Sequence, residues 1–253
     1  MSVFGELYAK CYDLVYESKE YDSEVDYVSS LIKKYAGNSK SILDLGCGTG
    51  KHAELFLNKG HSVHGVDLSD EMLEIAKKRI GEENSEVRFS CANITELSLD
   101  KKFDTVVSLF HVMGYLTTNA NVGDVFRVAS DHLNQGGLFI FDFWYGPGVL
   151  TDMPETRIKR FGDDDIDVTR LSEPEFFERE NMVRVNYHFF IKDKKSSEII
   201  EKSEKHDVRY FFDPELEMFC ESNGFEIAQK LQWLTDESPS FGSWYVVWVL
   251  RKK

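Results

Sequence analysis

Long apolar runs are missing from this chain. The longest, WYVVWVL at Trp244–Leu250, has seven residues, far short of the roughly 18 that a membrane-spanning helix needs. Paired cysteines are missing too. Cys11, Cys47, Cys91 and Cys220 are the four in the chain, and they are scattered with no C-x-x-C. That pattern builds neither a disulfide framework nor a zinc site and is expected of reduced cytoplasmic thiols. The opening MSVFGELYAK lacks a basic stretch followed by an apolar one, so no secretory leader is read there. Cations are in short supply: 30 Lys and Arg stand against 44 Asp and Glu, a net charge of −14. Nucleic acid is therefore disfavoured as a partner, because affinity for a phosphate backbone comes from Lys and Arg. A small anionic ligand, which needs only one or two local cations, is not excluded. The expectation is a soluble cytoplasmic protein with a small-molecule partner, no nucleic acid and no membrane.

What is present is a core. Hydrophobic residues make up 42% and aromatics 13% of 253 residues, enough for one α/β domain with a sizeable insertion. Val25, Val28, Leu31, Ile32 and Tyr35 recur at helical spacing before Gly37. Strands and helices then alternate: SILDL, a helix closed by Gly60, VHGVDL, a helix from Ser69 or Asp70 to Gly81, VRFSCAN and FDTVVSLF. A helix from about Asn121 to Leu133 leads through the turn NQGG into the strand LFIFDFW. Continuous apolar strands separated by helices predict a mainly parallel sheet covered on both faces.

At Pro147 the texture changes. Alternating segments such as MVRVNYHFFI predict three or four antiparallel strands over 149–209, with the acidic run Asp163–Asp165 in a solvated turn. A helix from near Pro214 to Gly224 and two strands, EIAQKLQWL and SWYVVWVL, close the chain. The expected fold is α/β, with a seven-stranded, mostly parallel sheet and an antiparallel β insertion. Residues 1–148 and 210–253 would form the main domain, and 149–209 a substrate roof or a homodimer surface.

The chemistry sits in ILDLGCGTGKH. Gly46, Gly48 and Gly50 let backbone pass close to a ligand. A dinucleotide loop needs its third glycine where Lys51 stands, and no G-x-x-x-x-G-K-[ST] can be drawn. Asp44 precedes the loop, where a carboxylate suits a ligand's ammonium group better than a pyrophosphate. Asp67 ends the next strand, where a carboxylate can accept from both hydroxyls of a ribose.

Together, LDLGCGTG, GVDLSDEML, ANITEL, FDTVVSLF and LNQGGLFIFDF resemble a class I S-adenosylmethionine-dependent methyltransferase, in order from Ser41 to Phe143. The resemblance implies a Rossmann-like fold with S-adenosylmethionine as cofactor. It places the methionine part along Asp44, Gly46, Cys47 and Gly48, the ribose on Asp67, and the adenine near Leu68, Met72, Asn93 and Ile94. Asn93 replaces the acid that many members carry, and Phe110 falls where backbone meets the methionine part. More narrowly, CYDLVYESKEYDSEVDYV and the insertion after FDFWYGPGVL are similar to the N,N-dimethyltransferases of nucleotide-linked amino sugars. In that family the N-terminal helix caps the cofactor, which gives roles to Tyr12 and, near the reacting amine, Tyr16. Tyr115 stands where that family has a histidine. The arginine which that family directs at the sugar nucleotide's phosphates has no counterpart in SPSFGSWYV, although Arg157, Lys159 and Arg160 are candidates.

An amine acceptor must arrive neutral, and a nearby His or Tyr can relay its proton; a hydroxyl acceptor needs a general base. His111, just beyond a strand's C-terminal end, is the first candidate for that base. Tyr16, His111 and Tyr115 are thus the catalytic candidates. Trp144, Tyr145 and His188 are the substrate-contact candidates. The expected function is methyl transfer to an amine or hydroxyl of a small polar metabolite, above all a sugar nucleotide. The alternatives are a non-catalytic cofactor-binding module, another small acceptor, and a nicotinamide oxidoreductase, which Lys51 counts against.

Overall fold

The structure, a computed structural model, describes residues 14–15, 19–81 and 83–253. Helix α1 (Tyr21–Ala36) buries Val25, Val28, Leu31 and Ile32 along one face. Asp22 and Glu24 in its first turn and Lys33 and Lys34 in its last complement the helix dipole. Strand β1 (Ser41–Leu45) and helix α2 (Lys51–Asn58) then begin the alternation, with β2 (Ser62–Asp67), α3 (Asp70–Ile80), β3 (Val87–Cys91) and β4 (Phe103–Ser108). A short 3₁₀ turn (Val112–Tyr115) precedes α4 (Asn119–His132) and β5 (Leu133–Trp144). The chain ends in α6 (Asp213–Ser222), β10 (Phe225–Gln232) and β11 (Tyr245–Lys252). No helix among the described residues is long and apolar enough to cross a membrane.

The seven strands lie in the order β3-β2-β1-β4-β5-β11-β10, with β11 antiparallel to both neighbours. The order reverses between β1 and β4, which opens a crevice at the carboxyl ends of the strands. Alternate residues of each strand feed opposite cores, as a period of two requires. Phe139, Phe141, Phe143 and Trp248 pack on the side of α4 and α6. Leu138, Ile140, Val247 and Val249 pack on the side of α1 and α2.

Two details depart from the sequence pattern. NQGG is not a turn before β5 but lies within its span; the pairing with β4 jumps from Phe103↔Leu133 to Thr105↔Leu138, and Gly136 at φ 75° absorbs the irregularity. A short helix α5 (Gly146–Thr151) follows β5. Its Pro147 and two glycines read as loop, yet proline is compatible with a first helical turn.

Strands β6 (Arg157–Gly162), β7 (Ile166–Phe177), β8 (Met182–Asp193) and β9 (Ile199–Arg209) form a second sheet, an antiparallel meander. Asp163 makes the β6–β7 turn, its Oδ1 accepting from the N–H groups of Asp165 and Ile166. The inner face of this sheet packs Val168, Phe189 and Ile191 against Met72 of α3. It therefore stands over the carboxyl ends of the large sheet.

Helix α5 is fixed by a backbone approach. A Cβ on Gly148 would lie 2.1 Å from the Ser243 carbonyl oxygen and 2.6 Å from its carbon. Neither atom belongs to a side chain that can swing away. Gly148→Ala should cost about 3 kcal/mol, the upper part of the overpacking range. That corresponds to a melting temperature lower by roughly 6–12 °C for a chain of this size. An unchanged melt would mean that the Ser243 loop yields freely.

Candidate active site

The glycine loop is held from below. Gly46 and Cys47 both donate backbone N–H to the Val66 carbonyl, at 2.7 and 3.0 Å. Gly46 has φ 85°, and a Cβ there would lie 2.6 Å from both γ-methyls of Val112. Only glycine fits. Gly48 (φ 53°) is different: a Cβ on it would meet nothing within 4 Å among the described residues. Its open side faces a cavity of about 1020 Å³, at the top of the roughly 300–1,000 Å³ range of small-molecule sites.

Two carboxylates serve the loop. Asp67 accepts from Gly48 N–H through Oδ2 (2.8 Å) and from Ser69 N–H through Oδ1 (3.0 Å). Burial raises its carboxyl above the ordinary value, and these backbone donors pull the other way. Ser69 in turn caps α3, its Oγ accepting from Met72 N–H. Asp44 lies beneath the loop and is only 1% exposed. Burial, and then the charge of Asp67, push its carboxyl up to about 7. Its Oδ2 is buried without a hydrogen-bond partner among the described residues. An orphaned carboxylate oxygen under an open glycine fits the cationic amino-acid end of S-adenosylmethionine, and Asp67 fits a ribose. Leu68 at the rim is 61% exposed, as an apolar side chain awaiting a flat ring would be. The Cys47 thiol is driven well up by burial and is inert.

Beyond β4 the backbone is strained. Phe110 and His111 both adopt the left-handed region, at φ 63° and 62°, a cost of about 1–3 kcal/mol each for such residues. The carboxylate of Asp142, buried at the end of β5, compensates by accepting from His111 N–H at 3.2 and 3.3 Å. His111 Nδ1 stands 2.5 Å from Asp142 Oδ2, a close contact without the alignment of a hydrogen bond. The imidazole stacks on Tyr245, with ring centroids 4.7 Å apart and an interplanar angle of 14°. Trp144 and Trp244 continue this aromatic wall, 5.1 Å apart. Trp144 Nε1 is a buried donor without a hydrogen-bond partner among the described residues.

On the other side of Phe110, Lys19 lies over the rings of Tyr21 and Phe110 and pairs with Glu24. Glu24 Oε2 also sits 2.8 Å from His52 Nε2. Burial lowers the pKa of Lys19 and of His52. Burial also pushes Glu24 up, but its two partners prevail and hold it below the ordinary value.

The second sheet covers the cavity. Arg170, Tyr187 and His206 face into it, together with Arg157 and Lys159. Tyr115 Oη is 2.9 Å from His206 Nδ1, and His206 Nε2 is 3.4 Å from Glu204 Oε2.

The residues singled out from sequence are mostly assembled here. Gly46, Cys47, Gly48, Asp67, Leu68 and Met72 line the cavity, as do Asn93, Ile94, Phe110, His111, Tyr115 and Trp144. Asp44 lies below the wall rather than on it. Tyr12 and Tyr16 lie outside the described residues. Two substrate candidates are placed elsewhere. Tyr145 follows Trp144 by one residue, and strand alternation turns its ring into the large core. His188 lies on the outer face of β8, 2.8 Å from Ser203 Oγ and 3.3 Å from Glu173, because Tyr187 and Phe189 take the inner face. The sequence reading missed Lys19, Asp142, Arg170, His206 and Glu204. Asp142 alone left a local signal, a carboxylate set among phenylalanines in FIFDFW.

The strand order, the glycine loop and the cavity at the switch point define a Rossmann-like methyltransferase fold. Residues 42–137 match the family described as "Methyltransferase domain". GWCH70_2453 of Geobacillus sp. (strain WCH70), provisionally named a methyltransferase, is 30% identical over 98% of this chain and 99% of its own. The chain belongs to the S-adenosylmethionine-dependent methyltransferases, and S-adenosylmethionine is its cofactor. A dTDP-3-amino-3,4,6-trideoxy-alpha-D-glucopyranose N,N-dimethyltransferase of Streptomyces venezuelae is 31% identical over 147 residues, 57% of this chain and 60% of that enzyme. The match thus spans about three fifths of that relative's length. SAM-bound CalS10, an amino pentose methyltransferase from Micromonospora echinaspora, shares the fold with a TM-score of 0.78 at 23% identity, covering 100% of this chain and 99% of its own.

Proposed function

We propose that this enzyme methylates the amino group of a deoxyamino sugar nucleotide. The observation that carries this reading is the shared cavity. One end is the glycine loop, the other an aromatic wall under a roof bearing Arg157, Lys159 and Arg170. The names of the Streptomyces and Micromonospora relatives support the same acceptor class.

In this reading Asp67 accepts from the ribose hydroxyls and Asp44 faces the ammonium group through the loop. Leu68, Met72, Asn93 and Ile94 enclose the adenine. Bound there, S-adenosylmethionine supplies an electrophilic methyl group on a sulfonium. What remains for the protein is to place a nucleophile in line and deliver it unprotonated, and positioning alone accounts for several kcal/mol of barrier, ~7–11 at best. Trp144, Trp244 and Tyr245 exclude water from one side of the acceptor, with Trp144 Nε1 as a donor to it. His111, fixed by Asp142, and Tyr115 flank the reacting atom. The second sheet closes the site above. Lys19, over Phe110, steadies the strained turn that carries His111.

A second reading, a hydroxyl acceptor, draws on the His111–Asp142 pair, since a histidine oriented by a buried acid is the arrangement of a general base. One assay separates the two. The full chain is incubated with S-adenosylmethionine and a panel of dTDP-amino sugars and their hydroxy counterparts, and products are read by mass spectrometry. Addition of one or two methyl groups to an amino sugar is the expected result. Methylation confined to the hydroxy sugars would establish the second reading and overturn the first.

A further inference from the structure

The roof holds a buried acid–base chain that cofactor binding does not use. Glu204 and His206 are two residues apart on β9, opposite Tyr187 and Val185, so both point to the inner face. They are 8% and 2% exposed. A carboxylate can only accept, so the contact with Glu204 assigns the proton to His206 Nε2. Nδ1 is then left with a lone pair toward the Tyr115 O–H, 2.9 Å away. The approach of the Tyr115 turn to β9 depends on Gly114. A Cβ there would lie 2.7 Å from Val208 Cγ1 and 3.3 Å from the Arg209 carbonyl oxygen. Tyr115 and His206 both reach the cavity wall, while Glu204 stands behind them.

We infer that Tyr115, His206 and Glu204 are the proton outlet of the acceptor site. The inference rests on the amine reading above. In neutral solution an aliphatic amine is protonated, as the lysine ammonium with its pKa of about 10.4 shows, and must lose that proton before its lone pair is open to methylation. The N–H proton passes to Tyr115 Oη as the phenol proton passes to His206 Nδ1, and the N–H bonding pair stays on the acceptor nitrogen. The imidazole becomes an imidazolium, its charge faced by the Glu204 carboxylate, and later returns the proton to water. The groups that face His206 set the balance. Glu204 favours the imidazolium. Arg170, whose guanidinium lies 5.0 Å from the Tyr187 ring, opposes it, as does Lys202, 3.5 Å from Glu204 Oε1. Tyr187 packs edge-on against the imidazole at 4.9 Å. His206 and Tyr115 are the working pair, and Glu204 is a positioning residue.

The test is the pH dependence of kcat and KM for wild type, His206→Gln, Tyr115→Phe and Glu204→Gln, with dTDP-3-amino-3,4,6-trideoxyglucose as the probe. At neutral pH, His206→Gln and Tyr115→Phe should lose on the order of 10²-fold in kcat, the scale of one proton-transfer group. Binding of S-adenosylmethionine should stay within twofold of wild type. As pH rises toward the amine's own pKa the loss should shrink, because solvent then deprotonates the acceptor. A loss equal at every pH, or no loss, overturns the outlet. If wild type methylates no amino sugar nucleotide, the acceptor reading falls, and ¹⁵N NMR of the His206 ring decides the chain itself. A ring protonated at Nδ1 would overturn it. An unprotonated Nδ1 whose signal moves in Tyr115→Phe would uphold it for another acceptor.

Discussion

Asp67→Ala should weaken S-adenosylmethionine binding by roughly 3 kcal/mol or more, since hydrogen bonds to a charged group contribute about 1.5–3 kcal/mol each. In dissociation constant that is on the order of 100-fold or more. Two effects add. The ribose hydroxyls lose their acceptors, and the loop loses the carboxylate that Gly48 and Ser69 donate to. With that anchor gone, the loop must be ordered by the ligand, which costs binding energy again. Asp67→Asn keeps one acceptor oxygen and should lose much less. Calorimetric titration with S-adenosylmethionine and S-adenosylhomocysteine reads both variants. An alanine variant that binds as wild type does would remove Asp67 from the site.

The glycine-loop end of the cavity was legible because its residues follow one another along one stretch of chain. Asp44, the glycines, Asp67 and Asn93 each stand at or just past the carboxyl end of a strand of one βαβ alternation, so strand order alone brings them to the switch point. The end under the second sheet was not. Tyr115 and His206 are 91 residues apart, and no local pattern says that a 3₁₀ turn will meet the last strand of the second sheet. Glu204 and His206 read as two alternating positions of an ordinary strand. Their meaning comes from the register of β8 with β9 and from the missing Cβ at Gly114. His188 shows the same lesson reversed. A one-residue offset along β8 decides between cavity and solvent, and the sequence did not fix which face was which. Helix α5 and the NQGG irregularity were hidden because glycine and proline mark turns more often than helix starts or bulges.

Asp44 offers a sharp pH signature. Its carboxyl sits at about 7 in the fold against 3.8 in a free chain, through burial first and the charge of Asp67 second. The folded state therefore holds this proton more tightly than the unfolded state does. The stability it contributes is fully present below pH 3.8 and is lost as pH rises through about 7. At about 1.4 kcal/mol per pKa unit the whole effect is on the order of 4 kcal/mol, or roughly 8–16 °C in melting temperature. Glu24, Asp104, Asp163 and Asp193 have lowered pKa values and slope the opposite way, so the comparison must be with Asp44→Asn, which cannot titrate. The wild-type melt minus the Asn-variant melt should fall from acid to neutral pH without cofactor. Adding S-adenosylmethionine should reverse that trend, because an ammonium group near Asp44 favours the ionised carboxylate. Cofactor-induced stabilisation of wild type should therefore grow across the same window, and that of the Asn variant should not. Asp67→Ala should shift the window toward acid, since it removes the second cause of the raised value. Identical pH slopes for wild type and Asp44→Asn would show that the buried carboxyl is solvated in solution and is not the counter-charge to the cofactor.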